Sequence, residues 1–351
     1  MKRKLFTALI FVLVMAVSAS AFSGNERWSF KPDSPVTSGV AMSGNTVFFG
    51  TETGRFYAVN KNTGREIWNY KTENTIYGVP SIVGNNIVFA TGNGEITCMS
   101  LSDGSVVWTA GGVGGRDTKG RAVNDGLSDG TATGGGLVYV SKDDRKVHAF
   151  RADDGRTAWT YTTSQQGVRV APTYSDGFVF VGEYDGIFSI LDAKTGKRLN
   201  GGGAGGAVNT PTVSGGNVYF SAWDGSVNAV QIKGVEPLWN VNVHDVITTQ
   251  PEVADGKIIV GTGRGAVIAL DEKTGRTLWR FNTNSGNISA KPVLADGVVF
   301  VGAESGPVFV LDARTGKQAG FLGGENGITG RPAFYDGVLY FCSNGDFYAY
   351  E

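Results

Sequence analysis

Few residues in this sequence have the means to make or break bonds, and their spacing sets most of them aside. His148 and His244 are its two histidines and Cys98 and Cys342 its two cysteines, which leaves little for a metal cage. Asp143-Asp144 and Asp153-Asp154 are adjacent carboxylates rather than converging ones. Each pair falls at a hairpin turn, where aspartate caps backbone N–H groups, so neither reads as a general acid. His244-Asp245 has no further histidine or acid at catalytic spacing and reads as two polar residues on the surface rather than an acid–base pair. There is no D-x-D-x-D-G calcium loop, P-loop, G-x-S-x-G elbow or H-E-x-x-H motif. The expectation is no catalytic residue, no metal site and no cofactor.

Residues suited to recognition are easier to find. Tyr184 and Trp223 replace small or polar residues at two corresponding turns, where they would either form a contact surface or fold over their own hairpins. His244 follows nearby. A glycine-rich stretch, residues 111–126, carries Arg116 and Arg121 and reads as either a recognition loop or a tolerated insertion. No helix follows it, so its glycines do not make a phosphate cradle. Arg169, Lys291 and Arg331 open three corresponding segments and would either line a basic channel mouth or pair with Asp125, Asp129 or Glu325. Together these eight residues are the candidate partner-binding set.

The elements that must position them come from a repeat of about forty residues, a period typical of propellers, solenoids and arrays. Ala58-Val-Asn60-Lys-Asn-Thr63-Gly64-Arg-Glu-Ile-Trp68 and Ala269-Leu-Asp271-Glu-Lys-Thr274-Gly275-Arg-Thr-Leu-Trp279 share the pattern A-x-[DN]-x-x-T-G-R-x-x-W. The first residue of that pattern recurs at Ala58, Cys98, Ala149, Ile190, Ala229, Ala269, Val310 and Ala349, which gives eight units. The spacing of 51 between Cys98 and Ala149 marks the glycine-rich insertion. Prolines at 80, 172, 211, 251, 292 and 332 mark the start of most units independently. Within a unit, short β-branched and aromatic runs are separated by Asp-Gly and Thr-Gly turns, with no helical period. Each unit therefore reads as a four-stranded antiparallel meander, with strands A to D running outward. One such sheet cannot bury both its faces, whereas eight stacked radially can.

The fold class expected is all-β, an eight-bladed β-propeller. The last unit stops in strand C, at Ala349-Tyr350-Glu351. Trp28 lies 40 residues before Trp68, in register with the strand D tryptophans Trp68, Trp108, Trp159, Trp239 and Trp279. Residues 26–31 should thus supply strand D of the eighth blade and close the ring. The six tryptophans read as docking residues between neighbouring blades, each indole resting on a turn glycine with its N–H on a backbone carbonyl. Asn200 and Gly320 replace tryptophan in blades 4 and 7, which must seal in another way. Cys98 should be a small packed strand C residue, and a disulfide to Cys342 in a non-neighbouring blade is not expected.

Charge and leader set the setting. Lys plus Arg number 31 and Asp plus Glu 32, so no global field draws the chain to nucleic acid or an anionic membrane. Lys2-Arg3-Lys4, an apolar run from Leu5 to Val17 and Ser18-Ala19-Ser20-Ala21 have the order of a secretory signal cleaved after Ala21. The expected organisation is residues 1–21 as signal peptide and 22–351 as one domain, periplasmic or extracellular. With Phe22 first in the mature chain, neither a lipid anchor nor membrane insertion is expected, and the chain should be monomeric on its own.

The repeat resembles that of the pyrroloquinoline quinone (PQQ)-like propeller family over essentially the whole mature chain. That family includes quinoprotein alcohol and glucose dehydrogenases and non-catalytic BamB-like members of the outer-membrane β-barrel assembly machinery. Chain size and signal peptide are closer to the second group. The resemblance implies an envelope scaffold that binds protein partners. The alternatives are a PQQ-dependent dehydrogenase, which would require PQQ with calcium, and a carbohydrate- or peptide-binding propeller. The dehydrogenases pair adjacent cysteines over the quinone, whereas Cys98 and Cys342 stand alone, and no C-x-x-C-H haem site is present.

Overall fold

The computed structural model describes residues 23–111, 127–168, 170–323, 327–343 and 345–351. Among these residues there are strands and turns and no helix. The strands fall into antiparallel meanders of four, taken in chain order as units 1 to 8: residues 41–71, 76–111, 127–162, 173–203, 212–242, 252–282, 293–322 and 328–350, the last completed by residues 26–30. Units 2 and 3 form one eight-stranded sheet because their A strands, Ile76–Val83 and Leu127–Gly134, meet in a parallel pairing of Val79 with Gly130. Gly130 permits that approach. Its φ is 143°, and a Cβ there would lie 2.6 Å from the Val79 nitrogen.

Alternation within each strand explains how both faces of a unit are buried. In Val298–Gly302, Val299 and Val301 pack against unit 6 while Phe300 packs against unit 8. The pattern repeats as eight apolar clusters, each drawing on two consecutive units, and one of them joins unit 8 to unit 1 through Phe347, Ala349, Phe49 and Val59.

The strand Glu26–Phe30 lies antiparallel to strand C of unit 8, Asp346–Tyr350, as the tryptophan register requires. Its pairing reproduces a detail of the other units. Ala349 is opposite Trp28 and Tyr350 opposite Glu26, skipping one residue, just as Ala269 is opposite Trp279 and Leu270 opposite Thr277. The bulge is thus part of the repeat, and the N-terminal strand occupies the strand D position with the same offset.

The repeat motif has a local cause. In Asp271-x-x-Thr274 the carboxylate accepts the Thr274 N–H at 2.9 Å and its hydroxyl at 2.7 Å. Asp192 with Thr195 and Asp312 with Thr315 do the same. The following glycine then takes the left-handed conformation that ends the C–D turn, with φ of 70° at Gly275 and Gly316.

All six docking tryptophans contact the next unit. The indole N–H groups of Trp28, Trp68, Trp108, Trp159, Trp239 and Trp279 donate to the carbonyls of Lys61, Leu101, Ala152, Ala193, Glu272 and Ala313 over 2.7–3.3 Å. Their rings cover Gly64, Gly104, Gly155, Gly196, Gly275 and Gly316. Between units 4 and 5, where Asn200 replaces tryptophan, Phe188 stacks on Phe220 with centroids 4.2 Å apart. Phe300 and Phe334 stack between units 7 and 8 at 5.9 Å. Cys98 and Cys342 are buried in separate sheets and form no disulfide, and burial pushes the Cys98 thiol up to about 11.

Between the N-terminal strand and unit 1, Asp33 ties the chain to the first B–C turn. Its carboxylate accepts from Thr53 at 2.8 Å, Thr51 at 3.1 Å and Arg55 at 3.2 Å. Burial pushes its pKa up, but these donors outweigh burial and hold it below the ordinary carboxylate value. A lowered folded pKa contributes stability above the unfolded value and loses it as pH falls through the folded one. Asp33→Asn should therefore cost about 1 kcal/mol at pH 7, with the gap to wild type closing below about pH 4. Urea titrations at pH 7 and pH 3 check this.

Candidate functional site

The B–C turns and D-to-A crossovers share one rim, because the crossovers bond to the turns: Tyr184 N–H donates to the Gly167 carbonyl and Val243 N–H to the Gly225 carbonyl, both at 2.9 Å. On this rim the structure brings Tyr184 of unit 4 against Trp223 of unit 5, with ring centroids 5.5 Å apart and planes at 69°. Trp223 remains 45% exposed. Val246, in the crossover after unit 5, is exposed to a similar degree.

Carboxylates, one of them exposed and one buried, fix the turns that carry these rings. Asp224 accepts the Gly205 N–H at 2.6 Å and the Ser226 hydroxyl and N–H at 2.6 and 2.9 Å. Burial opposes its ionisation, and those donors still hold its pKa below the ordinary range. Glu183, the residue before Tyr184, is buried and accepts from Ser164 N–H at 2.7 Å and the Ser189 hydroxyl at 3.0 Å. Sequence reasoning missed Glu183. Its signal was a carboxylate in a repeat column that holds Thr, Ala or Ser in six of the other units and Lys142 in unit 3.

His244 is exposed on the same rim, at φ 58°, with its N–H on the Asn242 side chain at 2.7 Å. Asp245 is not on the surface, contrary to the expectation from the sequence. It is buried at 8% exposure and pairs with Arg280 at 2.9 Å, with Arg264 at 3.9 Å. The chain turns inward after His244, so the two neighbours point to different environments. His148, in strand C of unit 3, contacts Asp144 at 2.8 Å, a local pair the sequence reading did not draw.

Two chambers, of 540 and 330 Å³, lie between the A strands, with residues of all eight units on the wall of the larger. Lys291 and Arg331 line both chambers. Lys291 pairs with Glu252 at 2.6 Å, a partner different from those expected. Arg116, Arg121 and Arg169 lie outside the described residues, as do residues 112–126, Asp125, Glu325 and the Asp129 side chain. No helix among the described residues is long and apolar enough to cross a membrane.

The sequence profile of the PQQ_2 family, described as outer membrane protein assembly factor BamB, matches residues 13–124, 111–199 and 223–319. The chain belongs to that family. BamB from Yersinia pestis is 26% identical over 184 residues, which cover 46% of this chain and 45% of that protein. A quinohemoprotein alcohol dehydrogenase from Comamonas testosteroni is 28% identical over 169 residues, 41% of this chain and 24% of the relative. These matches thus span less than half of either curated relative. In structure, the chain resembles BamB from Moraxella catarrhalis, with a TM-score of 0.77, 19% identity and coverage of 93% and 97% of the two chains. It also resembles the computationally designed protein Ika8, with a TM-score of 0.78, 19% identity and 93% and 99% coverage. The family fold is therefore an all-β propeller, as expected from the repeat.

The quinoprotein side of the family raises the question of a calcium-held quinone. Among the described residues no group of three or more His, Cys, Asp or Glu could hold a metal ion. Glu252 is the carboxylate lining the larger chamber, and Lys291 already engages it. The two cysteines occupy different sheets, so the described residues do not fit that cofactor.

Proposed function

We propose that this chain is a non-catalytic interaction scaffold of the cell envelope, with its partner face on the rim around Tyr184 and Trp223. The observation that carries the reading is the aromatic pair at the junction of units 4 and 5, half-exposed at Trp223 and held by turns whose carboxylates, Glu183 and Asp224, leave it little freedom. Rigid half-exposed aromatics offer large contact area at low entropic cost. We also infer that the eight units close into a single ring, and that residues 1–21 are removed on export to the periplasm or beyond. On this reading the partner is an envelope protein handled during outer-membrane assembly, in keeping with the BamB-like relatives.

A photo-crosslinking residue at position 223, compared with one at Gly256 on the opposite A–B turns, tests the face. The expected result is a discrete protein adduct from position 223 alone, competed by unlabelled wild type and not by Trp223→Ala. Because Trp223 is half-exposed, Trp223→Ala should alter stability by less than about 1 kcal/mol while abolishing that competition. Equal adducts from both positions would remove the rim from consideration. The likeness to quinohemoprotein alcohol dehydrogenases favours a second reading, that of a PQQ-dependent enzyme. Titration with PQQ and calcium tests it: a stoichiometric bound-quinone spectrum with dye-linked alcohol oxidation would replace the scaffold reading.

A further inference from the structure

We propose that a recess between units 3 and 4 binds the ring of a neutral sugar, a pyranose. The recess is built from A–B and C–D turns, on the rim opposite Tyr184 and Trp223, so the proposal does not rest on the scaffold reading. Its volume of 450 Å³ lies within the range of small-molecule sites. A single departure from the repeat opens it. Ile67, Val107, Leu199, Leu238 and Leu278 hold the place just before the strand D docking position in five units, and each stands out from the surface at 40–49% exposure. In unit 3 that place is held by Ala158, on the wall of the recess. The adjoining A–B turns add no bulk, because Gly135 and Gly177 line the same space.

The chemistry of the wall selects the ligand. Tyr174 of unit 4 lies parallel to Tyr139 of unit 3, with centroids 5.7 Å apart and planes at 9°. Gly134 makes room for that ring, since a Cβ there would run into it. Tyr139 is buried, and its hydroxyl donates to the carbonyls of Gly134 and Ala193 at 3.1 and 3.3 Å, which fixes the floor. Tyr174 is only half-buried, and its hydroxyl has no hydrogen-bond partner among the described residues. Asp192 and Lys194, from the C–D turn of unit 4, complete the lining. Thr195 holds Asp192 in place, donating its N–H and hydroxyl to one carboxylate oxygen at 2.8 and 2.6 Å. The opposite charges of Asp192 and Lys194 offset each other, so the wall favours neither an anion nor a cation. A pyranose suits all of these features. Its C–H face matches the tyrosine ring, and its hydroxyls, which both donate and accept, meet an acceptor in Asp192, a donor in Lys194 and either in Tyr174. A wholly apolar ligand would leave those three polar groups without a role.

Saturation-transfer NMR of the mature chain with the methyl glycosides of glucose, mannose and galactose tests the site. Saturable binding of at least one of the three is expected. Ala158→Leu installs the side chain that units 4, 5 and 6 carry at this place, so it should abolish the signal with no loss of melting temperature. Tyr174→Phe, which keeps the ring and removes only the hydroxyl, should weaken binding several-fold and decides the matter if Ala158→Leu does not fold. Absence of saturable binding by wild type, wild-type affinity in a folded Ala158→Leu or Tyr174→Phe, or binding of p-cresol without binding of any glycoside would overturn the proposal.

Discussion

Deleting residues 23–36 is expected to lower the unfolding free energy by at least about 5 kcal/mol, because it removes a buried tryptophan together with a strand's ladder of hydrogen bonds. Trp28 packs in the cluster shared by units 8 and 1, against Tyr340 and Phe347 at 6.0 Å, and donates to Lys61 at 2.7 Å. Without it, strand C of unit 8 becomes an unpaired edge and Gly64 loses its cover. Urea unfolding followed by tryptophan fluorescence and circular dichroism checks this. The expected outcome is a lower midpoint with loss of a single transition, and an unchanged midpoint would mean that this strand contributes little to the fold.

The second large effect concerns Trp279. Its ring is 8% exposed, donates to Ala313 at 2.9 Å and lies on Gly316, where a Cβ would come within 2.5 Å of the indole. Trp279→Ala should cost about 3–5 kcal/mol, as for other buried aromatic truncations. Gly316→Ala should also be severe in the wild type, where the new methyl meets the ring and the backbone sits at φ 70°. In the Trp279→Ala background only the cost of the left-handed conformation remains, about 1–2 kcal/mol. The double-mutant cycle should therefore show strong non-additivity, and additive costs would contradict direct contact between the two residues.

Much of this architecture was legible because it repeats. The tryptophan register located the N-terminal strand beside unit 8, and the spacing of the turns placed Tyr184 and Trp223 on one rim. What escaped was interaction between units. Asp245 looked like an exposed neighbour of His244, yet its partner Arg280 is 35 residues away in the next unit, where no local spacing announces it. The Lys291–Glu252 pair is hidden for the same reason. The residues at equivalent positions on the wall of the larger chamber, Val79, Ala171, Thr210, Gln250, Lys291 and Arg331, each stand directly before the proline of their unit, so the proline marks that wall in the sequence.

The shared sheet of unit 8 also decides how the molecule yields to force. Glu26 pairs with Tyr350, Phe30 pairs with Phe347, and Asn25 and Glu351 exchange backbone hydrogen bonds at 3.2 and 3.0 Å, so both tails leave the sheet at the same end. Tension between them would part the ladder one rung at a time, like a zipper, rather than loading every rung together in shear. A tether at both tails would thus open the molecule at its first and last strands well before any other pair of neighbours came apart.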